Sequence, residues 1–284
     1  MPKPTTRPNP RATLKNLGLA PSRRRSQNFL RDDHLARRLA EAIMASGPDL
    51  PIVEIGPGLG ALTKPLLTAG ATVLAVELDH GLAKALETWP EVLAGRLKVI
   101  PRDILTTRLA DLGPGPFVVA GNLPYNLSTP ILFWFLAQAP LAKAGIFMLQ
   151  KEVAQRLVAK PGQDGYGRLA VALSLWTEAK IILEAPPWAF QPKPKVYSSV
   201  VILRPKTPPT VSLASLGRLT AAVFHARRKT LANNLLAAYG PEKTREVLEN
   251  FGLPALVRAE TLAPELLAEL ARYLEDGETE LAVP

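Results

Sequence analysis

The sequence predicts an α/β domain built on a mostly parallel sheet, followed by a small all-helical C-terminal domain. Short apolar runs alternate with helical patterns between residues 51 and 150, which is typical of strands joined by crossover helices. A glycine-rich loop follows the first run, and only helical periodicity remains after the proline-rich stretch at 204–210. A chain of 284 residues is long enough for both domains.

The elements of the α/β domain follow in order along the chain. Asp32 is a candidate N-cap, and apolar residues at intervals of four behind it (Leu35, Leu39, Ile43) predict an amphipathic helix to about residue 46. Five apolar runs then predict strands at 51–55, 71–78, 97–100, 116–120 and 145–149. Two later runs, at 181–185 and 197–205, predict a hairpin-like pair that closes the sheet edge.

Helical periodicity resumes after residue 210. The predicted helices lie near 212–224, 227–239, 242–251 and 264–275, with Gly240-Pro241 separating the second from the third. Together with the proline-rich, basic start of the chain, these patterns predict three parts. They are a flexible N-terminal arm at 1–25, the α/β domain at 26–205 and a helical domain at 206–284.

Composition narrows the class of protein. No apolar run is long enough to span a bilayer, and the N-terminus lacks the apolar core of a signal peptide, so we expect no membrane association and a cytoplasmic protein. The chain has no cysteine, which excludes disulfides, thiolate nucleophiles and Cys-ligated zinc. Because its three histidines are scattered, we expect chemistry without a metal.

Positive charge is concentrated at the front of the chain. The formal net charge is +9; residues 1–38 carry ten Lys or Arg against two acids, whereas residues 242–284 carry four against ten. Clustered cations suit a polyanion such as nucleic acid, because contacts between Lys or Arg and phosphate release counterions. A solubilising, solvated tail would show the same pattern.

Three consecutive strand ends each offer one polar feature. Gly56, Gly58 and Gly60 follow the first strand, where glycines allow a tight turn and close approach of a nucleotide-like ligand. Glu77 ends the second strand and can accept hydrogen bonds from ribose hydroxyls, and Asp103 ends the third, where it can accept from an adenine amino group. Both a dinucleotide and S-adenosylmethionine present an adenosine ribose, so this set leaves both ligands open.

The end of the fourth strand favours methyl transfer. An exocyclic adenine amine is a poor nucleophile because its lone pair is delocalised into the ring. The Asn122 amide oxygen and the Leu123 carbonyl can each accept one N–H and free that lone pair, while Pro124 fixes the loop's φ. Tyr125 is placed to stack on the base, and Phe190 is a candidate second wall. Hydride transfer to nicotinamide needs no such group.

With these motifs, the sequence resembles the KsgA family of small-subunit ribosomal RNA adenine dimethyltransferases. The resemblance runs from residue 23 to about residue 262. The matching stretches are RRRSQNFL, VEIGPGLGALT, VELD, RDIL, GNLPYNLSTPIL, FMLQKEVAQRLVA, YGRL, PPWAFQPKPKVYSSVV and FHARRKTLANNL.

The resemblance implies a Rossmann-like, S-adenosylmethionine-dependent methyltransferase domain with a helical C-terminal domain that binds RNA or the ribosome. The implied cofactor contacts are Gln27, Asn28, Leu30, Gly56, Gly58, Glu77, Asp103 and Asn122. It also implies dimethylation of two adjacent adenosines, in a hairpin near the 3′ end of small-subunit rRNA, by a monomer acting on an assembling subunit. The target adenine would lie between Tyr125 and Phe190.

Two residues depart from the family pattern. Ser26 stands where the family usually has glycine, which puts in doubt how the N-terminal segment closes over the cofactor. Tyr197 stands where aspartate usually follows Pro-Lys-Val, away from the proposed chemistry.

Other classes of protein share parts of this sequence pattern. An Erm-type methyltransferase of large-subunit rRNA shares the Asn-Leu-Pro-Tyr motif, but the FHARRKTLANNL and PPWAFQPKPKV stretches favour the small-subunit family. DNA adenine methyltransferases usually have Asp-Pro-Pro or Asn-Pro-Pro at this place. A ribosome-assembly binding factor and a dehydrogenase are the alternatives from other classes.

Two basic runs are candidate phosphate contacts. Arg23, Arg24 and Arg25 precede the QNFL stretch, and the run Arg227, Arg228 and Lys229 is predicted to open a helix of the second domain. A solvated helix face is the alternative for each run.

Overall fold

The protein is described here by a computed structural model that covers residues 9–18 and 28–280. The described residues form two compact units, one of residues 9–18, 28–154 and 179–205 and the other of residues 155–178 and 206–280. The second unit resumes at residue 206, and it also takes in residues 155–178, which the sequence analysis placed in the α/β domain. The assignment of separate functions to the two units stays a prediction.

A seven-stranded sheet organises the first unit. Its strands are β2 (Ile52–Ile55), β3 (Val73–Val76), β4 (Leu97–Ile100), β5 (Phe117–Asn122), β6 (Ala142–Gln150), β7 (Thr177–Ala185) and β9 (Ser198–Pro205). Their order across the sheet is β4-β3-β2-β5-β6-β9-β7. The pairs from β4 to β6 are parallel, and β9 runs antiparallel to β6. Each predicted run overlaps one strand, so the mostly parallel sheet and its closing pair are confirmed.

The strand order reverses at β2. This strand lies between β3 and β5. From β2 the chain adds β3 and β4 on one side of the sheet, and it then crosses back to add β5 and β6 on the other side. The loops after β2 and β5 therefore diverge at the carboxyl edge and open a crevice, which is where open α/β sheets bind ligands.

Helices pack on the sheet through apolar faces. They are α2 (Asp33–Ser46), α3 (Thr63–Thr68), α4 (His80–Glu87), α5 (Pro90–Leu93) and α6 (Ser128–Ala137). The predicted N-cap of α2 is confirmed, since the Asp32 carboxylate accepts from the backbone N–H groups of His34 and Leu35. Leu35, Leu39 and Ile43 are buried in the main core, and each such burial contributes roughly 1.5–3 kcal/mol.

The N-terminal arm contains a helix that the sequence analysis missed. Helix α1 (Pro10–Asn16) begins with Asn9 as N-cap, whose side chain accepts from the Arg11 N–H. Leu14 is buried against Phe29 of β1 (Phe29–Leu30). The prediction of a flexible arm is wrong for this stretch, because one leucine finds an apolar site and the cap and Pro10 set the helix start.

The second unit is helical. It contains the last three residues of α7 (Lys151–Leu157), with α8 (Arg168–Trp176), α9 (Leu213–Val223), α10 (Leu231–Asn250) and α11 (Pro264–Glu280). The predicted break at Gly240-Pro241 is a kink inside α10, where Gly240 has φ of 79°. No helix in the part of the chain that the structure describes is long and apolar enough to span a bilayer.

Candidate active site

A cleft at the carboxyl edge of the sheet collects ten of the twelve residues predicted for catalysis and cofactor binding. It is lined by the ends of β2, β3 and β5 and by β1. The predicted residues that line it are Asn28, Leu30, Gly56, Gly58, Glu77, Asp103, Asn122, Leu123, Pro124 and Tyr125. Gln27 and the run Arg23–Arg25 lie outside the described residues, as does Ser26.

The glycine loop needs its glycines for two different reasons. Gly56 and Gly58 have φ of 62° and 59°, in the left-handed region that side chains rarely adopt. A Cβ at Gly56 would meet no protein atom within 4 Å, whereas one at Gly58 would lie 3.3 Å from the Phe29 ring. The loop after β2 therefore exposes backbone to the cleft at Gly56 and packs on β1 at Gly58.

Glu77 ties the glycine loop to the next strand. Its Oε2 accepts from the Gly58 N–H at 3.0 Å and its Oε1 from the Asp79 N–H at 2.8 Å. The side chain is 5% exposed, and hydrogen bonds of this charge-assisted kind offset the desolvation of a buried carboxylate. Each carboxylate oxygen has two acceptor sites, so holding the loop does not exhaust what the Glu77 carboxylate can accept.

Asp103 shapes the third strand end. Its Oδ1 accepts from the Leu105 N–H at 2.9 Å and so caps the short 3₁₀ turn at 104–106. The side chain is half-buried and lines the cleft, which leaves Oδ2 available to a donor in the cleft.

Asn122 is held by its amide nitrogen. As the last residue of β5, it donates from Nδ2 to the carbonyl of Asn28 at 2.8 Å. An amide donates only through nitrogen, so this bond fixes the side chain's rotation and turns Oδ1 away from the Asn28 carbonyl. Leu123 donates its N–H to Met148 O at 3.1 Å, which fixes the peptide plane next to the one that carries the Leu123 carbonyl.

Tyr125 is anchored at its hydroxyl. The turn that carries it closes when Pro124 O accepts from Leu127 N–H and from the Ser128 hydroxyl. The Tyr125 hydroxyl lies 2.8 Å from Ser198 Oγ on β9. Burial raises the pKa of Tyr125, against a smaller lowering by this hydrogen bond, so the phenol stays neutral at physiological pH.

Phe190 lies beside a residue of the cleft but does not itself line the cleft. The residue is 2% exposed, belongs to the main core and lies in β8 (Phe190–Gln191). β8 pairs with β1, and Phe190 stands opposite Leu30, which does line the cleft. Its role as the second wall for the target base stays a prediction that needs the ring to move.

The second basic run lies in a turn. Arg227, Arg228 and Lys229 precede α10, so the prediction that they open a helix is wrong. The Thr230 hydroxyl accepts from the Asn233 N–H and sets the helix start at the next residue. All three residues are exposed, and Arg227 also donates to the Tyr166 carbonyl at 3.3 Å.

Two contributors to the site were missed by the sequence analysis. Ser198 lies inside a matching stretch but has no sequence signal of its own, and the Asn28 main-chain carbonyl has no side-chain signal at all. Among the residues that the structure describes, no group of three or more His, Asp or Glu side chains is placed to hold a metal ion.

A glycine loop at the switch point, acids after the next two strands and a polar tip on β5 together define the class of S-adenosylmethionine-dependent methyltransferases. The family model described as ribosomal RNA adenine dimethylase matches residues 21–276, and the chain belongs to that family. This membership confirms the resemblance on which the sequence analysis relied.

Curated relatives and solved structures agree with this placement. The chain is 39% identical over 271 residues to the ribosomal RNA small subunit methyltransferase A of Hahella chejuensis, covering 92% of this chain and 96% of the relative. It is 41% identical over 268 residues to the protein of that description from Brucella abortus, covering 92% and 95%.

Two solved structures share the fold. The 23S rRNA methyltransferase ErmE has a TM-score of 0.60 at 29% identity, over 87% of this chain and 100% of that one. The dimethyladenosine transferase of Plasmodium falciparum has a TM-score of 0.70 at 24% identity, over 84% and 96%.

Proposed function

We propose that this protein dimethylates N6 of two adjacent adenosines in a hairpin near the 3′ end of small-subunit rRNA. The observation that carries the proposal is the Asn122 amide, held by the Asn28 carbonyl at the tip of β5 beside the glycine loop. We propose further that the substrate is an assembling small subunit and that the enzyme acts as a monomer in the cytoplasm. The relatives near 40% identity, whose names specify the small subunit, support this choice of rRNA.

The cleft fits S-adenosylmethionine, which supplies an electrophilic methyl group on a sulfonium. The open backbone at Gly56 admits a nucleoside closely, and Glu77 and Asp103 offer carboxylate oxygens on the same cleft. In the proposed assignment, Glu77 binds the ribose hydroxyls and Asp103 the adenine amino group. Asn28, Leu30 and Gly58 complete the described contacts.

The chain's part in the chemistry is to hold the target amine. Asn122 Oδ1 and the Leu123 carbonyl each accept one N–H of the adenine amino group. Two such acceptors draw the nitrogen toward tetrahedral geometry and return its lone pair from the ring to the reacting face. Because the Asn122 amide is already rotated and the Leu123 peptide already paired, little reorganisation is needed when the base enters.

Proton removal needs no dedicated base. Methylation leaves the amine nitrogen cationic and acidic, so it loses a proton to solvent. The monomethylated amine keeps one N–H, which one of the two acceptors can still engage during the second transfer. Tyr125, neutral and fixed at its hydroxyl, presents its ring to the target base in this proposal.

The direct test uses small ribosomal subunits that lack the modification. The protein is incubated with them and with a radiolabelled methyl donor, and the labelled nucleotides are mapped. We expect two labels on each of two adjacent adenosines with small subunits and none with large subunits. Label on large-subunit rRNA alone would favour an Erm-type activity, which is the alternative because the chain is also similar to ErmE.

Asn122→Ala tests the amine grip. We expect turnover to disappear while cofactor binding, followed by titration calorimetry, weakens but stays measurable. Asn126→Ala is the matched control, because Asn126 is exposed in the same turn and does not line the cleft. If Asn122→Ala methylated the rRNA near the wild-type rate, the proposed role of Asn122 in holding the amine would be wrong. If the inactive variant still binds pre-subunits and perturbs their assembly, the protein has a second role as an assembly factor.

A further inference from the structure

The loop between β7 and β9, residues 186–197, has an unusual composition for a surface connection. Its sequence, PPWAFQPKPKVY, contains three aromatic residues and two lysines but no acid. Its four prolines restrict φ, so the loop loses little further freedom when a ligand binds to it. We refer to this stretch as the aromatic loop.

Two aromatic side chains of this loop face solvent. Trp188 is 54% exposed and Tyr197 is 51% exposed, and Val196 beside Tyr197 is also exposed. By contrast, Trp134 and Trp176 are 8% and 6% exposed. Exposing a large ring forfeits the stabilisation that burial would give, so two exposed rings in one loop favour a binding surface.

The charge around these rings is positive. Lys193 and Lys195 are exposed within the loop. The Lys151 ammonium lies 5.9 Å from the centre of the Tyr197 ring and 2.8 Å from Glu184, whose negative charge it neutralises in part. Exposed aromatic faces interleaved with cations are what unpaired nucleotides need, because bases stack on the rings while the lysines contact phosphates.

The aromatic loop adjoins the catalytic cleft at two points. Tyr197 accepts through its carbonyl from the Lys151 N–H at 2.9 Å, and the next residue, Ser198, holds the Tyr125 hydroxyl. Trp188 lies two residues before Phe190, which stands opposite Leu30 of the cleft.

We propose that Trp188 and Tyr197 form a stacking platform for the unpaired nucleotides that flank the target adenosines. The inference rests on the proposed function and adds the surface that would hold the strand. Tyr197 presents an exposed ring beside the Lys151 ammonium, in a loop that carries two further exposed lysines.

The test measures binding of a short single-stranded oligoadenylate by fluorescence. Trp188 is the most exposed of the four tryptophans, so stacking should quench a signal that Trp188→Phe removes in part. We expect Trp188→Ala and Tyr197→Ala each to weaken binding about tenfold without changing its salt slope. Replacing Lys193 and Lys195 by alanine should instead flatten the slope. Leu93→Ala, at a 95% exposed apolar residue elsewhere in the first unit, is the control.

Each outcome decides the proposal. Wild-type affinity for the oligoadenylate in both aromatic variants, with melting temperatures unchanged, would overturn it even if the wild-type protein methylates small subunits. Loss of oligoadenylate binding in those variants would support it even if the wild-type protein methylated nothing. Weaker binding to whole subunits with unchanged oligoadenylate binding would mean that the loop contacts a ribosomal protein, which also overturns it.

Discussion

Ser198 shows how one buried hydroxyl can set the geometry of a site. It is the first residue of β9, fully buried, and lies 2.8 Å from the Tyr125 hydroxyl. The Tyr125 ring is thus fixed both by its own turn and by a strand more than seventy residues later in the sequence. We expect Ser198 to act as a positioning residue, since it touches Tyr125 rather than the reacting atoms.

Ser198→Ala should slow methylation through Tyr125 alone. A hydrogen bond of this kind contributes about 0.5–1.5 kcal/mol, so we expect kcat to fall roughly two- to tenfold with a small change in KM. In a Tyr125→Phe background, the same substitution should have almost no further effect, because the bond is already absent. Steady-state kinetics on unmodified small subunits measure both quantities.

The neighbouring serine provides the control for this prediction. Ser199 Oγ is buried and has no hydrogen-bond partner among the described residues, so Ser199→Ala removes a hydroxyl without breaking a bond. Its kinetics should match wild type. An equal loss of kcat in both variants, or additive losses in the double variant, would show that Ser198 acts through strand packing instead.

At the scale of elements, the sequence predicted what depends on local pattern. Continuous apolar runs predicted the buried parallel strands, and the acid Asp32 marked the start of α2 correctly. The strand-end rule then brought Gly56, Glu77, Asp103 and Asn122 to one cleft.

What the sequence could not predict depends on partners distant along the chain. The burial of Phe190 depends on pairing between β8 and β1, which are two residues long and have no periodicity. The helical unit recruits residues 155–178 through contacts such as that of Tyr166 with Leu262. Nor does composition show that the exposed Arg227 donates to a main-chain carbonyl.

Tyr166 links three segments of the helical unit. Its hydroxyl donates to the Leu262 carbonyl at 2.9 Å, and its ring lies edge-on to Phe224 at 6.1 Å between centroids. Its carbonyl accepts from Arg227. Burial raises the pKa of Tyr166, with a smaller contribution from the negative charge of Glu265.

Tyr166→Phe should therefore change stability in a pH-dependent way. Because the folded-state pKa lies above the unfolded value near 10, the neutral phenol's contribution is complete below about pH 10 and is lost as pH rises toward the raised value. The free energy of unfolding of the variant should be about 1 kcal/mol below that of wild type at neutral pH. Above pH 10 it should fall less steeply with pH than that of wild type, the two slopes differing by up to roughly 1.4 kcal/mol per pH unit. Denaturant unfolding across this range measures both effects.

Tyr273→Phe is the control, since the Tyr273 hydroxyl accepts from Asn250 at the surface of the same unit. It should keep the alkaline decline of the wild type. If the stability of Tyr166→Phe falls above pH 10 as steeply as that of wild type, another group is responsible, and the half-buried Tyr125 phenol is the first to examine.

At the scale of the whole molecule, charge is distributed unevenly. The net charge is +9 although residues 242–284 are acidic, so the cations that attract rRNA lie elsewhere in the chain. Long-range attraction is expected to act on any RNA, whereas the proposed Asn122 grip would act only on an amine already in the cleft. Affinity and catalytic selectivity are therefore expected to depend on different residues.

Salt dependence separates these two contributions and tests the basic turn before α10. The double variant Arg228→Ala with Lys229→Ala removes two exposed cations. We expect the slope of log affinity against log salt concentration to flatten by roughly one to two. The reason is that each phosphate contact contributes about 0.7–0.9 to this slope. Lys243→Ala is the matched control, since that ammonium is paired with Glu246 at 3.0 Å. Arg227 is left intact because its bond to the Tyr166 carbonyl would confound binding with folding. Filter binding to unmodified small subunits between low and moderate salt measures the slope. An unchanged slope in the double variant would mean that the two cations face solvent and contact no phosphate.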